Sequence, residues 1–426
     1  MLRSLSVRVL IALIVGLALG AAAAAWAGEG IRQAIALIES LGGLWLNALR
    51  MTVVPLVFAV LVTGVAGVAD AAATGRLAVK TIVLIVAVLS VSALYSIVFF
   101  DAFYALWPVS PDGAAALKAG ASAAPDVARQ APKLIEFIKG LAPPNVLKAA
   151  SEDSILPMVV FAGFFGFAVT RLPTPRRRLV VEFFEALAEA MVTIVRWVLA
   201  AAPVGVFALG LGVGLRAGVN AAGEIFHYIV GISLANITTV FIASAVAILV
   251  GRVALRTWLR STAPVQVAAF ATQSSLACLP AMIERLREDM GVPDRVTGLV
   301  LPLAVALFRV TGPLANYGVA LFLLRVYGIH PTLGLLSVGA FVAVACSLAS
   351  VSLPSALSFY ASIAPICLAM GVPVDILPIL IAVEVIPDIF RTIANVTADM
   401  AMALVLWRSE GSSPVAQTKG EVSAAG

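Results

Sequence analysis

Apolar runs long enough to cross a bilayer recur along this chain, and they leave little room for any other class of fold. They fall at about 7–27, 43–69, 78–107, 154–171, 180–215 and 222–251. A spanning helix needs about 20 apolar residues, because the hydrocarbon core offers no partner to backbone N–H and C=O groups. Of the 426 residues, 62% are hydrophobic and only 12% charged, where a soluble domain carries roughly a quarter charged residues. The expectation is an all-α integral membrane protein with roughly eight spans. The run Val7–Trp26 imitates a signal peptide but is read as a first transmembrane helix, since further spans follow at once. Cys278, Cys346 and Cys367 all lie in apolar surroundings and read as small buried hydrophobes. Two histidines, His227 and His330, cannot build a metal site alone. No resident cofactor is expected.

The net charge of +5 is no nucleic-acid signal, because the basic residues sit in short clusters between apolar runs. Arg3 and Arg8 precede the first span, and Arg76 and Lys80 follow the second. Arg171 and Arg176–Arg178 follow the fourth, Arg252, Arg256 and Arg260 the sixth, and Arg408 ends the last. With eight spans these clusters fall on one side, which predicts a multi-pass protein of the cell (inner) membrane with both termini cytoplasmic. The segment 108–145 is then an extracellular, partly ordered loop, and 409–426 a disordered cytoplasmic tail.

Beyond residue 251 the pattern changes. The stretches 262–288 and 338–370 are apolar but interrupted by Ser, Pro and Cys, and each precedes a longer apolar stretch, 294–326 and 376–407. Their centres are alike: Ser274-Ser275-Leu276-Ala277-Cys278-Leu279-Pro280 and Ser350-Val351-Ser352-Leu353-Pro354. Paired, interrupted hydrophobic segments point to a transporter's binding site, because a helix broken inside protein frees backbone groups to coordinate a solute or ion.

The final stretch carries Glu384, Asp388, Arg391, Asn395 and Asp399 at spacings of four, three, four and four. At about 100° per residue they fall within roughly 80° of one another. Each intramembrane charge costs at least ~2.5–3.5 kcal/mol, so the row faces the protein interior or a wet cavity. One reading is a structural ion-pair network. The other assigns roles by chemistry: the Arg391 fork suits a carboxylate, Asp388 an ammonium, Asn395 either partner, and Asp399 a small cation. Thr392 adds a hydroxyl. An Arg beside an Asp matches an acidic amino acid, with the serines at the hairpin tips presented to its α-carboxylate.

These residues resemble a known family. The stretch Glu384–Asp399, E-V-I-P-D-I-F-R-T-I-A-N-V-T-A-D, is similar to the last helix of the dicarboxylate/amino acid:cation symporters, the glutamate-transporter fold. M-T-V-V-P-L-V-F-A at Met51–Ala59, D-S-I-L-P-M-V-V-F-A at Asp153–Ala162, A-P-V-G-V-F-A-L at Ala202–Leu209 and F-A-T-Q-S-S at Phe270–Ser275 follow in the family's order. The resemblance covers about 5–408. It implies eight transmembrane helices, two re-entrant hairpins, an elevator-like mechanism and a homotrimer embedded in lipid. The scaffold would comprise 1–76 and 146–216. The transport unit would comprise 77–107 and 217–408, with hairpins at 262–288 and 338–370 and the seventh and eighth helices at 294–326 and 376–407. The resemblance implies substrate contacts at Asp388, Arg391, Thr392, Asn395, Ser274, Ser275 and Ser352, and a sodium ion at Asp399 and Asn395.

The seventh helix departs from the family's pattern. Where relatives read N-M-D-G-T, this chain has Phe308-Arg309-Val310-Thr311-Gly312. Two oxygen ligands are gone and a guanidinium stands beside their positions. A gapless count also puts Val88 and Leu89 where relatives carry hydroxyls, with Ser90 and Ser92 just beyond. Gly312-Pro313 can still break the helix. The expectation is that Arg309 replaces one sodium ion as a fixed charge, the alternative being that it snorkels or pairs with Glu384. Proton coupling through Glu384 or Asp399 is a related possibility.

The activity expected is therefore symport of aspartate, glutamate or an analogue with sodium, protons or both, and not an enzyme activity. The alternatives are a C4-dicarboxylate symporter, a channel and a non-transporting relative. Retained Arg391 argues for a second carboxylate on the solute, and Asp388 for an amine. The tip Val351-Ser352-Leu353-Pro354 lacks the glycines usual there, which bears on pocket shape.

Overall fold

The computed structural model describes residues 5–26, 28–72, 75–120, 145–151, 155–217, 220–349 and 355–410. Every regular element among them is helical. In chain order they are α1 (Leu5–Trp26), α2 (Glu29–Arg50), α3 (Val53–Ala72), α4 (Arg76–Leu106), α5 (Pro111–Gly120), α6 (Val146–Ser151), α7 (Ile155–Val169), α8 (Thr174–Ala200) and α9 (Ala202–Ala217). There follow α10 (Asn220–Leu249), α11 (Leu255–Thr272), α12 (Ser275–Glu288), α13 (Asp294–Leu307), a π-turn at Gly312–Asn316, and α14 (Tyr317–Val326). The last are α15 (Leu333–Ala349), α16 (Ser355–Ala369), α17 (Leu377–Val383) and α18 (Val385–Ser409).

Four stretches are long and apolar enough to cross a membrane: Arg76–Leu106, Ala222–Leu249, Asp294–Val326 and Val385–Ser409. The pair α8 and α9 passes as a fifth, bent by 57° at their junction. Shorter apolar helices lie at Ile11–Ala24, Val54–Gly67, Val160–Val169 and Leu333–Leu348.

Proline sets most of the departures from the apolar runs. The run 43–69 is divided at Met51–Thr52, just before Pro55 in the first turn of α3. The run 180–215 bends at Ala201, before Pro203 of α9. A proline there lacks an N–H and its ring clashes with the preceding turn, so one helix ends as another begins. The segment 108–145 contains α5, which opens at Ser110-Pro111, with the Ser110 hydroxyl accepting from the Gly113 N–H at 3.3 Å. Residues 121–144, Asp153–Ser154 and 411–426 lie outside the described set.

The crossing of α1 and α9 is set by small residues. A Cβ on Gly20 would stand 2.2 Å from the Leu211 carbonyl oxygen, and one on Gly214 would stand 2.3 Å from that of Leu17. With Gly16 and Gly210 one turn earlier on each helix, the backbones approach as they do at small-xxx-small interfaces in membranes. Helix α3 packs against α7 and α8, while α15 lies against α3, α4 and α16. A largely apolar cavity of about 440 Å³ opens between α3, α7 and α15, lined by residues including Val65, Phe164, Phe167, Phe341 and Ala345.

Helix α18 occupies the interior. Its chief neighbours are α10, α11, α12 and α13, and a second apolar core around Trp258, Met282 and Met400 fills the space between them. All three cysteines are buried free thiols, as the apolar surroundings predict.

Candidate functional site

The charged row begins where α17 gives way to α18. Pro387 lies in the first turn of α18, and Glu384 sits at the junction, its N–H pairing with the Ile381 carbonyl at 3.3 Å. The Asp388 N–H then pairs with the Glu384 carbonyl at 2.9 Å, and the ladder is regular beyond it. Glu384, Asp388, Arg391, Thr392, Asn395 and Asp399 are each no more than 9% exposed.

At the upper end of the row three ionisable side chains meet. The Arg391 Nη2 donates to Glu384 Oε1. The Tyr228 hydroxyl, from α10, donates to Glu384 Oε2 at 2.7 Å. Arg391 Nε stands 3.9 Å from Asp388 Oδ1 and makes no hydrogen bond. The Thr392 hydroxyl donates to the Asp388 carbonyl of its own helix at 3.0 Å. Arg391 is thus shared between two carboxylates, which is how a charge buried this deeply is tolerated.

The lower end faces a break between α13 and α14. Helix α13 ends at Leu307, residues 308–311 are irregular, and the chain resumes as the π-turn starting at Gly312-Pro313. The N–H and hydroxyl of Thr311 both donate to Asn395 Oδ1, at 3.2 and 3.0 Å. On the other side, the Ser92 hydroxyl of α4 donates to the Val310 carbonyl at 2.6 Å and the Ser96 hydroxyl to the Leu314 carbonyl at 2.8 Å. These bonds satisfy backbone groups that the broken ladder leaves open, and π-turns of this kind cluster at functional positions. Gly312 admits α15, since a Cβ there would stand 2.1 Å from Ser347 Oγ. The charge of Arg309 acts on Asp388, Arg391 and Asp399. Asp399 is 1% exposed, and neither of its carboxylate oxygens has a hydrogen-bond partner.

The row therefore divides into two groups. Glu384, Asp388 and Arg391 neutralise one another in part, yet they do so against Tyr228 of α10 and beside the broken helix, where Asn395 and Asp399 also lie. Ser274 caps α12, its side chain accepting from the Ala277 N–H at 3.3 Å, and the preceding Gln273 takes a left-handed φ of 49°. Ser274 and Ser275 are half-buried at a real break between α11 and α12. Ser352 and the tip Val351–Pro354 lie outside the described residues.

The structure adds detail at three of the expected positions. Glu384 takes Arg391 and Tyr228 as partners. The hydroxyls beside the break are supplied by Ser92 and Ser96; Leu89 is fully buried and Ser90 bonds back to Val86. The Asn395 oxygen expected to face sodium is engaged by both Thr311 donors, which leaves its amide Nδ2 for other partners. Tyr228, Thr311 and Ser96 were not singled out in the sequence; an intramembrane hydroxyl was the one signal each offered.

Residues 5–409 match the model of the sodium:dicarboxylate symporter family. The chain belongs to that family. Members similar to this symporter-family chain include a proton/glutamate-aspartate symporter of Escherichia coli, 26% identical over 96% of this chain and 93% of the relative. A proton/sodium-glutamate symport protein of Bacillus subtilis is 25% identical over 96% of this chain and 93% of the relative. A C4-dicarboxylate transport protein of Bradyrhizobium diazoefficiens is 27% identical over 70% and 65%. Membership and the apolar helices together make this family member a multi-pass membrane protein.

Proposed function

We propose that this chain is a secondary active transporter that imports an acidic amino acid such as aspartate or glutamate, coupled to sodium, protons or both. The observation that carries the reading is the Arg391 guanidinium set between two carboxylates on the buried face of α18, with its Nε still open. A planar fork of this kind binds a carboxylate through two parallel bonds. Asp388 would take the ammonium group, with Thr392, Asn395 Nδ2, Ser274, Ser275 and Ser352 completing the pocket. Asp399, buried and without a hydrogen-bond donor, supports a cation or proton site, and Asn395 would join it only by releasing Thr311. Arg309, acting on Asp388 and Asp399, supports a fixed charge in place of one sodium ion.

In the same reading the chain has eight transmembrane helices and two re-entrant hairpins and assembles as a homotrimer. Residues 1–76 and 146–216 form the scaffold, and 77–107 and 217–408 the moving unit. Both termini are cytoplasmic, in the cell (inner) membrane. The gathering of Lys80, Arg252, Arg295 and Arg408 near the end of α18 supports that orientation.

A C4-dicarboxylate is the second reading. What favours it is the likeness to a C4-dicarboxylate transport protein of Bradyrhizobium diazoefficiens. Thermal stabilisation of the purified protein by aspartate, glutamate, succinate and malate separates the two, because a ligand that binds only the folded state raises Tm. Uptake of labelled aspartate into vesicles tests the coupling. A reduced sodium requirement, with added sodium dependence gained in Arg309→Ala, is the expected result. Strict dependence of the unaltered protein on several sodium ions would remove the fixed-charge assignment.

A further inference from the structure

The Glu384–Arg391 pair stands in the way of the function just proposed. A guanidinium already donating to Glu384 cannot present its full fork to a second carboxylate without turning away from the first. We propose that Glu384 and the substrate carboxylate compete for Arg391, and that Glu384 takes up one proton each time the substrate wins. The inference rests on the acidic-substrate reading.

The geometry gives each oxygen of Glu384 a separate role. Oε2 is held by the Tyr228 hydroxyl at 2.7 Å, a bond that does not depend on Arg391. Oε1 is held by Arg391 alone among the described donors. When Arg391 turns to the substrate, Oε1 loses its only donor and Glu384, 3% exposed, loses its bonded counter-charge. A buried carboxylate without that partner is strongly disfavoured. A proton from water binds at Oε1, the oxygen just vacated, and Oε2 still accepts from Tyr228. One O–H bond forms on Glu384 and one breaks in the hydronium ion that supplies the proton, which leaves as water. The guanidinium stays protonated and its charge passes to the substrate. On release, Arg391 returns to Oε1 and the proton leaves.

The groups acting on Glu384 are Arg391 and Asp388 on α18 and Tyr228 on α10. Tyr104 of α4 acts on Tyr228 in turn, and Arg309 acts on Asp388 and Arg391. Asp388 takes no hydrogen bond from Arg391 Nε and gains the substrate ammonium when Arg391 moves, so the exchange strips the bonded counter-charge from Glu384. An acidic amino acid brings one negative charge and the proton one positive charge, so loading leaves the charge of the site unchanged.

The test is binding of aspartate and succinate to the full chain across a pH series, for the unaltered protein and for Glu384→Gln. Binding that takes up one proton makes Kd rise tenfold per pH unit wherever the free acid is ionised and the loaded one protonated. Glu384→Gln cannot titrate and competes poorly for Arg391, so its binding should be tight and flat with pH. Tyr228→Phe retains the acid and should retain the slope over a shifted interval. Should Glu384→Gln not fold, proton counting on the unaltered protein in weak buffer decides, with one proton taken up per aspartate bound as the expected result. A slope that persists in Glu384→Gln, loss of binding in folded Glu384→Gln, or pH-independent tight binding by the unaltered protein each overturns the proposal. If the unaltered protein binds neither ligand, the acidic-substrate reading itself falls and takes the proposal with it.

Discussion

Tyr228 shows how much of the site depends on a group outside the charged row. Its hydroxyl is the one described donor to Glu384 that comes from another helix, and it ties α10 to α18 at the level of the Arg391 fork. Tyr228→Phe leaves Glu384 Oε2 buried without a donor. Such a loss costs about 1–3 kcal/mol, and it should lower the Tm of the detergent-solubilised protein while leaving its helix content unchanged by circular dichroism. The charged residues of α18 were legible because ionised side chains stand out in an apolar run. The hydroxyls that complete the site were not, and the reason is physical. Ser and Thr in a membrane helix usually donate to a carbonyl of the preceding turn, as Ser90 does to Val86 and Thr81 to Leu77. Ser92 and Ser96, on the same helix, instead reach Val310 and Leu314 across a helix contact. No spacing in the sequence separates the two behaviours.

Among the elements, the apolar lengths were readable and the breaks only partly so. Gly312-Pro313 marked the break between α13 and α14, and Ser274-Ser275 that between α11 and α12, where composition changed along with the break. Pro55 and Pro203 gave no comparable warning, because a proline inside an unbroken apolar run reads equally as a kink or as the first turn of a new helix. The contact of α1 with α9 is a further case: glycines are common in membrane helices, and their pairing across two helices needs the tertiary structure. Leu at Gly20 or at Gly214 would put a side chain where backbone oxygens stand at 2.2 and 2.3 Å. Each substitution should force the helices apart at a cost of about 1–3 kcal/mol, seen as a lower Tm. Ala at Gly163 of α7, where a Cβ meets nothing within 4 Å, is the tolerated control.

At the scale of the molecule, one end of the α18 bundle is fastened by a small set of polar contacts. Glu410 meets Lys80 at 3.5 Å and Arg295 at 3.1 Å, while Arg408 donates to the Gly251 carbonyl at 3.1 Å and lies over the Trp407 ring. These contacts join the start of α4, the end of α10, the start of α13 and the end of α18. At the far end Arg325 binds Asp101 at 2.8 Å, joining α14 to α4. A staple across either rim should therefore be silent. Cysteines in place of Lys80 and Glu410, joined by a bis-thiol linker, should leave vesicle uptake intact. A short bis-thiol linker between cysteines at Val65 and Ala345, which both line the oily crevice, should halt uptake until it is cleaved. If the first staple stops the cycle and the second does not, the partition of the chain into a still part and a travelling part has been drawn along the wrong seam.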